Sequence, residues 1–217
     1  MRWRISRAGS HKLEQGTVKL SIVCVTYKRP KLLKVLIESF LCQTMQNFEI
    51  LVMHDGPDEE TRLILEEYAR DNPGKVTSYF SDNRYNDYGH SLRHLGIEMS
   101  ESQYLLLTND DNYYVPVFVE NMFEAIERQN LDIVYCDMVH SHVFPELPNP
   151  IGYQTLITEP RRWRIDIGTF ITRTDLAKRV GFRDKGFEGD ATYFEDLLAL
   201  NPKPKLGKVE KVLFVHN

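Results

Sequence analysis

Residues Leu20-Ser21-Ile22-Val23-Cys24-Val25-Thr26 form a nearly unbroken apolar run that ends abruptly in Tyr27-Lys28-Arg29-Pro30. Such a run suits a strand covered on both faces. The continuation agrees with this. Pro30 opens a helical pattern in which Leu32, Leu33, Leu36, Ile37 and Phe40 recur at spacings of three and four. A second apolar run, Phe48 to Met53, stops at Asp55-Gly56-Pro57. Asp58 then caps a helix carrying Leu63, Ile64 and Tyr68 on one side, closed by Asn72-Pro73-Gly74. Further strands are expected at 76–80, 104–107 and 132–135, with helices over 89–99 and from Pro116 to about Arg128. Strand–helix alternation at this spacing means right-handed crossovers and a mostly parallel sheet with helices on both faces.

From His140 onward the pattern is less regular, broken by Pro145, Pro148, Pro150 and Pro160. Strands are still expected at 169–172 and 211–215, and helices from Asp175 and around 191–200. The reading is one α/β domain over residues 19–217, preceded by a basic tail, 1–18, that carries Arg2, Arg4 and Arg7. The chain has 27 basic and 31 acidic residues, a net charge of -4, which argues against a nucleic-acid binder. Three cysteines without a CxxC pair argue against a disulfide framework or a zinc site and for a reducing, cytoplasmic setting. No apolar run approaches the roughly 18–20 residues of a transmembrane segment, so membrane association would be peripheral, through the basic tail.

In open α/β sheets ligands bind beyond the carboxyl ends of the strands. Here those ends read Thr26-Tyr27-Lys28-Arg29, His54-Asp55-Gly56 and Asn109-Asp110-Asp111-Asn112. Adjacent carboxylates at the exit of a buried strand repel one another, so a cation or strong donors must compensate. Mg²⁺ or Mn²⁺ suits them, because such ions take one or two carboxylates together with substrate phosphates. A plain capped turn would leave the second carboxylate without a purpose. No Gly-x-x-x-x-Gly-Lys-Ser/Thr loop and no Gly-x-Gly-x-x-Gly after the first strand are present, which disfavours nucleoside-triphosphate hydrolases and dinucleotide dehydrogenases.

In this order and spacing the motifs resemble the family 2 glycosyltransferases of the GT-A fold, over about residues 19–217. Leu20 to Pro30 is similar to the family's opening strand with its Thr-Tyr-Asn-Arg-like end. His54-Asp55-Gly56-Pro57-Asp58 is similar to the Asp-Asp-Gly-Ser motif, lacking the first Asp and the Ser. Gly89 to Ile97 resembles the Gly-x-x-x-Ala-Arg-Asn-x-Gly-Ile segment, and Thr108-Asn109-Asp110-Asp111 stands at the Asp-x-Asp position, with Thr108 replacing the first Asp. The resemblance implies a GT-A, Rossmann-like sheet and a nucleotide-sugar site. Thr26, Tyr27 and Arg29 would belong to it, with Asp55 accepting from a uracil or thymine imide and Arg93 near the base or diphosphate. Asp110 would face the ribose or sugar, Asp111 with Asp110 would bind the metal, and His216 would reach it from a late strand.

Inverting glycosyl transfer also needs a carboxylate that takes the acceptor hydroxyl's proton. Residues Gly186 to Leu197 offer Asp190 and the literal Glu195-Asp196 pair. In the family, apolar positions follow the Asp by three and seven residues. From Asp190 these are Tyr193 and Leu197; from Asp196 they are Ala199 and Lys203, the latter beyond Asn201-Pro202. Asp190 is therefore the expected base, with Asp196 and Glu195 as runners-up. Trp163 and Asp166 fall where such enzymes receive the acceptor, and Trp163 is equally well explained by packing or exposure. The expected activity is metal-dependent transfer from a UDP- or dTDP-sugar to a hydroxyl of a glycan or of a lipid-linked or protein acceptor. A sugar nucleotidyltransferase is the enzyme alternative, though Thr26 to Pro30 lacks the glycine-rich loop it would need. A binding module without turnover is the other.

Overall fold

The computed structural model describes residues 18–141 and 152–217. The basic tail read at 1–18 lies outside them except for Val18. The elements run β1 (Leu20–Thr26), α1 (Pro30–Leu41), β2 (Phe48–His54), α2 (Glu59–Asp71), β3 (Val76–Phe80), α3 (His90–Met99), β4 (Tyr104–Asn109) and β5 (Tyr113–Tyr114). They continue with α4 (Phe118–Gln129), β6 (Ile133–His140), β7 (Gln154–Leu156), β8 (Phe170–Arg173), α5 (Thr174–Val180), α6 (Gly189–Leu198) and β9 (Leu206–His216).

One sheet holds the strands in the order β3-β2-β1-β4-β8-β6-β9-β5, with β7 pairing β6. Strands β1 to β4 are parallel neighbours, and β6 pairs β9 in parallel. The departures from a doubly wound sheet are β8, which lies antiparallel between β4 and β6, and the short strands β5 and β7, antiparallel to β9 and β6. Alternation along β1 divides the core. Leu20, Ile22 and Cys24 face α1 and α4, where Leu33, Leu36, Phe40, Met122 and Phe123 are buried. Val23 and Val25 face α3, α5 and α6, through Leu92, Ile97, Ala177, Phe194 and Leu197. The α/β architecture with helices on both faces is thus present. Gly96 sets the closeness of α3 to β1, since a Cβ there would collide with Val23.

Three readings need correction. In α2 the buried positions are Thr61 and Leu65, whereas Leu63 is exposed. Leu32 of α1 is also exposed. Strand β9 begins at Leu206, five residues before the expected start, and runs to His216.

Candidate active site

The carboxyl ends of β1, β2 and β4 open into a cleft of about 530 Å³ lined by Thr26, Tyr27, Arg29, Asp55, Arg93, Asp110, Asp111 and Asp190, among others. The fold itself brings these together: β1 is the central neighbour of β2 and β4, so their last residues are in register.

Asp110 is buried and accepts a 2.6 Å hydrogen bond from Thr26 Oγ1. Burial pushes its pKa up to about 6; the Asp111 charge adds to the rise, and Thr26 and Arg29 oppose it. Asp111 is more exposed and lies 2.7 Å from Arg29 Nη1. Thr108, at the position of the missing first Asp, points inward. Its hydroxyl accepts from Tyr114 Oη at 2.8 Å and from Asn112 Nδ2 at 3.2 Å, and it is fully buried. The metal-binding burden therefore cannot fall on position 108.

Two adjacent carboxylates with hard oxygens, one of them held above its ordinary pKa, fit a divalent ion that draws its other ligands from diphosphate and water. His216 is the last residue of β9. It lies 3.5 Å from Asp166 Oδ2 and stacks on His140 at 4.2 Å, and it is not among the residues lining the cleft. Among the described residues, no three His, Cys, Asp or Glu side chains converge on a metal position.

Asp55 spends its carboxylate on the loop after β3. Oδ1 accepts from the Tyr85 amide at 2.7 Å and Oδ2 from the Asn86 amide at 3.1 Å. Arg84 from that loop lies over the Tyr27 ring, 3.8 Å from its centroid. Arg84, Tyr88 and Phe187 line the cleft as well, and the sequence reading missed all three. The rule that ligands gather at strand carboxyl ends would have pointed to the β3 loop, since Asp82 to Gly89 follows that strand directly. His54, counted with the polar strand ends, is buried and structural: its Nε2 accepts from the Lys28 amide and its Nδ1 meets the Gly56 carbonyl at 2.7 Å.

Arg93 lines the cleft and is not a solvated helix charge. It is 2% exposed, and its guanidinium donates to Tyr88 O at 2.7 Å, to His90 Nδ1 at 3.0 Å and to Asn109 Oδ1. It lies 3.8 Å from Asp190.

Asp190 sits in the first turn of α6, and the capping residue is Glu188 rather than Asp190. Tyr193 and Leu197, three and seven residues on, are buried. A second cavity of about 310 Å³ is lined by Trp163, Asp166, Phe187 and Asp190, so Asp190 and Phe187 line both spaces. Trp163 is exposed at its mouth, and Asp166 caps a short 3₁₀ turn through the Gly168 amide. The runners-up are elsewhere: Asp196 is clasped by Arg183 at 2.6 and 3.0 Å, and Glu195 by Arg162 at 2.9 and 2.7 Å. Neither lines either cavity.

A curled, mostly parallel sheet whose polar strand ends share one cleft defines a GT-A-type domain. The chain belongs to glycosyl transferase family 2, whose profile matches residues 21–176. An uncharacterized glycosyltransferase of Haemophilus influenzae is 30% identical over 145 residues, which is 64% of this chain and 47% of that protein. The putative glycosyltransferase EpsH of Bacillus subtilis is 28% identical over 122 residues, 56% of this chain and 34% of that one. The chain thus spans half or less of these relatives' length. Among solved structures, Staphylococcus aureus TarS (residues 1–349) in complex with UDP-GlcNAc superposes with a TM-score of 0.72 at 17% identity, covering 91% of this chain and 58% of that one. The Pyrobaculum calidifontis mannosyltransferase PcManGT, in complex with GDP-Man and Mn²⁺, superposes with a TM-score of 0.65 at 11% identity, covering 100% and 60%. Among the described residues no helix is long and apolar enough to cross a membrane.

Proposed function

We propose that this domain transfers a glycosyl group, with inversion, from a nucleoside-diphosphate sugar to an acceptor hydroxyl. The observation that carries this reading is the position of Asp190 at the junction of the two cavities. On this reading the larger cavity would take the nucleotide and the smaller one, which Trp163 and Asp166 line, the acceptor. The nucleobase would lie against Tyr27, beside the loop that Asp55 holds, and the diphosphate at Asp110, Asp111 and Arg29. A divalent ion bound at Asp110 and Asp111, as Mn²⁺ accompanies GDP-Man in PcManGT, would supply charge neutralisation for the departing diphosphate. Uridine is the favoured base, since TarS binds UDP-GlcNAc.

The chain's own residues do the remainder. Trp163 offers an aromatic face to an acceptor ring at the mouth of the second cavity. Asp190 takes the hydroxyl proton as the acceptor oxygen bonds to the anomeric carbon, and the anomeric carbon–phosphate oxygen bond breaks with its electrons leaving on the diphosphate. Arg29, bridging the two aspartates, adds positive charge where that leaving group departs. Titration with UDP, dTDP, GDP and CMP, with and without Mn²⁺, tests the reading. It predicts UDP or dTDP binding that Mn²⁺ strengthens and Asp111→Ala removes. Equal binding of all four, indifferent to both, contradicts it.

A further inference from the structure

His90, the first residue of α3, is fully enclosed between the donor cleft and α6. Its ring stacks on Phe182 with centroids 5.0 Å apart, and Gly189 leaves the room for it: a Cβ there would lie 2.7 Å from His90 Nε2. The Nε2 atom is 3.0 Å from the Gly186 carbonyl. A carbonyl only accepts, so Nε2 carries the ring proton. Nδ1 then presents a lone pair, to which Arg93 Nη1 donates at 3.0 Å. The other hydrogen of Nη1 goes to Tyr88 O and Nη2 donates to Asn109, so neither turns to Asp190. Asp190 Oδ1 lies 3.4 Å from His90 Nδ1, is buried, and receives no hydrogen bond.

We propose that His90 is a positioning residue for the base: as the neutral Nε2–H tautomer it holds the Arg93 guanidinium away from Asp190 and leaves the carboxylate open to a proton. The inference rests on Asp190 being that base. The single Nδ1 lone pair is filled by Arg93, so the ring neither donates to Asp190 nor accepts from it, and the nearby Oδ1 is left without a donor. The acceptor's O–H bond breaks, the Asp190 O–H bond forms, and His90 keeps its own proton throughout. The charged groups around the ring are Arg93 on α3, Asp87 before it, Asp184 and Lys185 in the loop before α6, and Asp190 on α6. Burial first, and then Arg93, lower the imidazole pKa, which keeps the ring neutral.

The test compares His90→Gln with His90→Asn in the intact chain. An Asn oxygen takes the place of Nδ1 as an acceptor, whereas Gln reproduces only the Nε2 end and frees Arg93 to bond Asp190. For His90→Gln the expectation is a roughly tenfold fall in turnover. The acid limb of its pH–rate profile should move to lower pH while UDP affinity is retained. His90→Asn should restore much of the turnover and the wild-type limb. Equal losses in both variants with an unmoved limb would overturn the proposal. Nitrogen-15 NMR of the histidines gives a readout independent of activity: His90 should show the neutral Nε2–H pattern, and an imidazolium or Nδ1–H pattern at pH 7 would contradict it. Full turnover in Asp190→Asn would instead remove the base assignment itself, a distinct failure.

Discussion

Arg29 Nη1 lies 2.7 Å from Asp111 Oδ2 and 3.5 Å from Asp110 Oδ1, so one guanidinium spans both carboxylates at the end of β4. It answers the like-charge problem that the adjacent aspartates pose in the sequence. Replacing it with alanine leaves Asp110, 3% exposed, with less compensation. Arg29→Ala is expected to weaken UDP binding by about tenfold, as loss of one charge-assisted contact does. Isothermal titration checks this, and unchanged affinity would place the diphosphate elsewhere.

Asp110 gives a pH signature. Its folded pKa of about 6 lies above the ordinary 3.8, so between those values the folded state holds a proton that the unfolded chain has released. Its stabilising contribution is therefore full below the ordinary value and is lost as pH rises through about 6, an effect of about 3 kcal/mol at most. Asp110→Asn should raise the melting temperature at pH 8 by several degrees, at about 2–4 °C per kcal/mol for a chain of this size. It should also abolish Mn²⁺-dependent nucleotide binding. In the wild type that metal-dependent binding should decline as pH falls below 6. Thermal scans at pH 5 and pH 8 decide it, and a lower melting temperature for the variant at pH 8 would contradict the assignment.

Asp55 is expected to act through the loop it holds. Its two carboxylate oxygens anchor the Tyr85 and Asn86 amides, so Asp55→Ala strands two donors and should cost about 1–3 kcal/mol of stability. Because Arg84 leaves that loop to lie on Tyr27, nucleotide affinity should fall along with stability. Denaturant unfolding and UDP titration on one sample test both, and a loss of affinity without any loss of stability would mean that Asp55 contacts only the base.

Tyr27 is expected to carry the nucleobase. Tyr27→Ala should weaken UDP by about 1–3 kcal/mol, the worth of one base–aromatic stack. Arg84→Ala should change affinity for UDP far more than for ribose 5-phosphate, since the guanidinium lies against the Tyr27 ring. Equal effects on both ligands would argue against a base slot at this ring.

The first half of the fold was legible because β1, β2 and β4 are buried on both faces and so read as plain apolar runs, and because Pro30 and Asp58 mark helix starts. The phase of α6 was legible too: Tyr193 and Leu197, counted three and seven residues from Asp190, are buried. Other features were hidden. The β9 strand was read short because Lys208, Glu210 and Lys211 interrupt its apolar residues, yet the Lys208 ammonium sits 5.9 Å from the Tyr135 ring and pairs with Asp137 at 2.7 Å. In α2 apolar residues lie on both sides, and only the packing against β3 and α1 selects Leu65 over Leu63. Strand direction leaves no mark on a four-residue run such as β8. The burial of Arg93 was invisible for a similar reason: its acceptors arrive from the turn before α3 and from β4, and periodicity does not encode that convergence.

The account depends most on Asp190 as the base, and turnover of the nucleotide-sugar selected by the titration is the measurement that reaches it directly. Asp190→Asn should lower turnover about 10²–10⁴-fold, the contribution of a general base, while UDP affinity stays within about twofold. Asp196→Asn and Glu195→Gln, whose wild-type carboxylates are bound to Arg183 and Arg162, should keep most of the activity. Full turnover in Asp190→Asn, with activity lost instead in Asp196→Asn, would contradict the account.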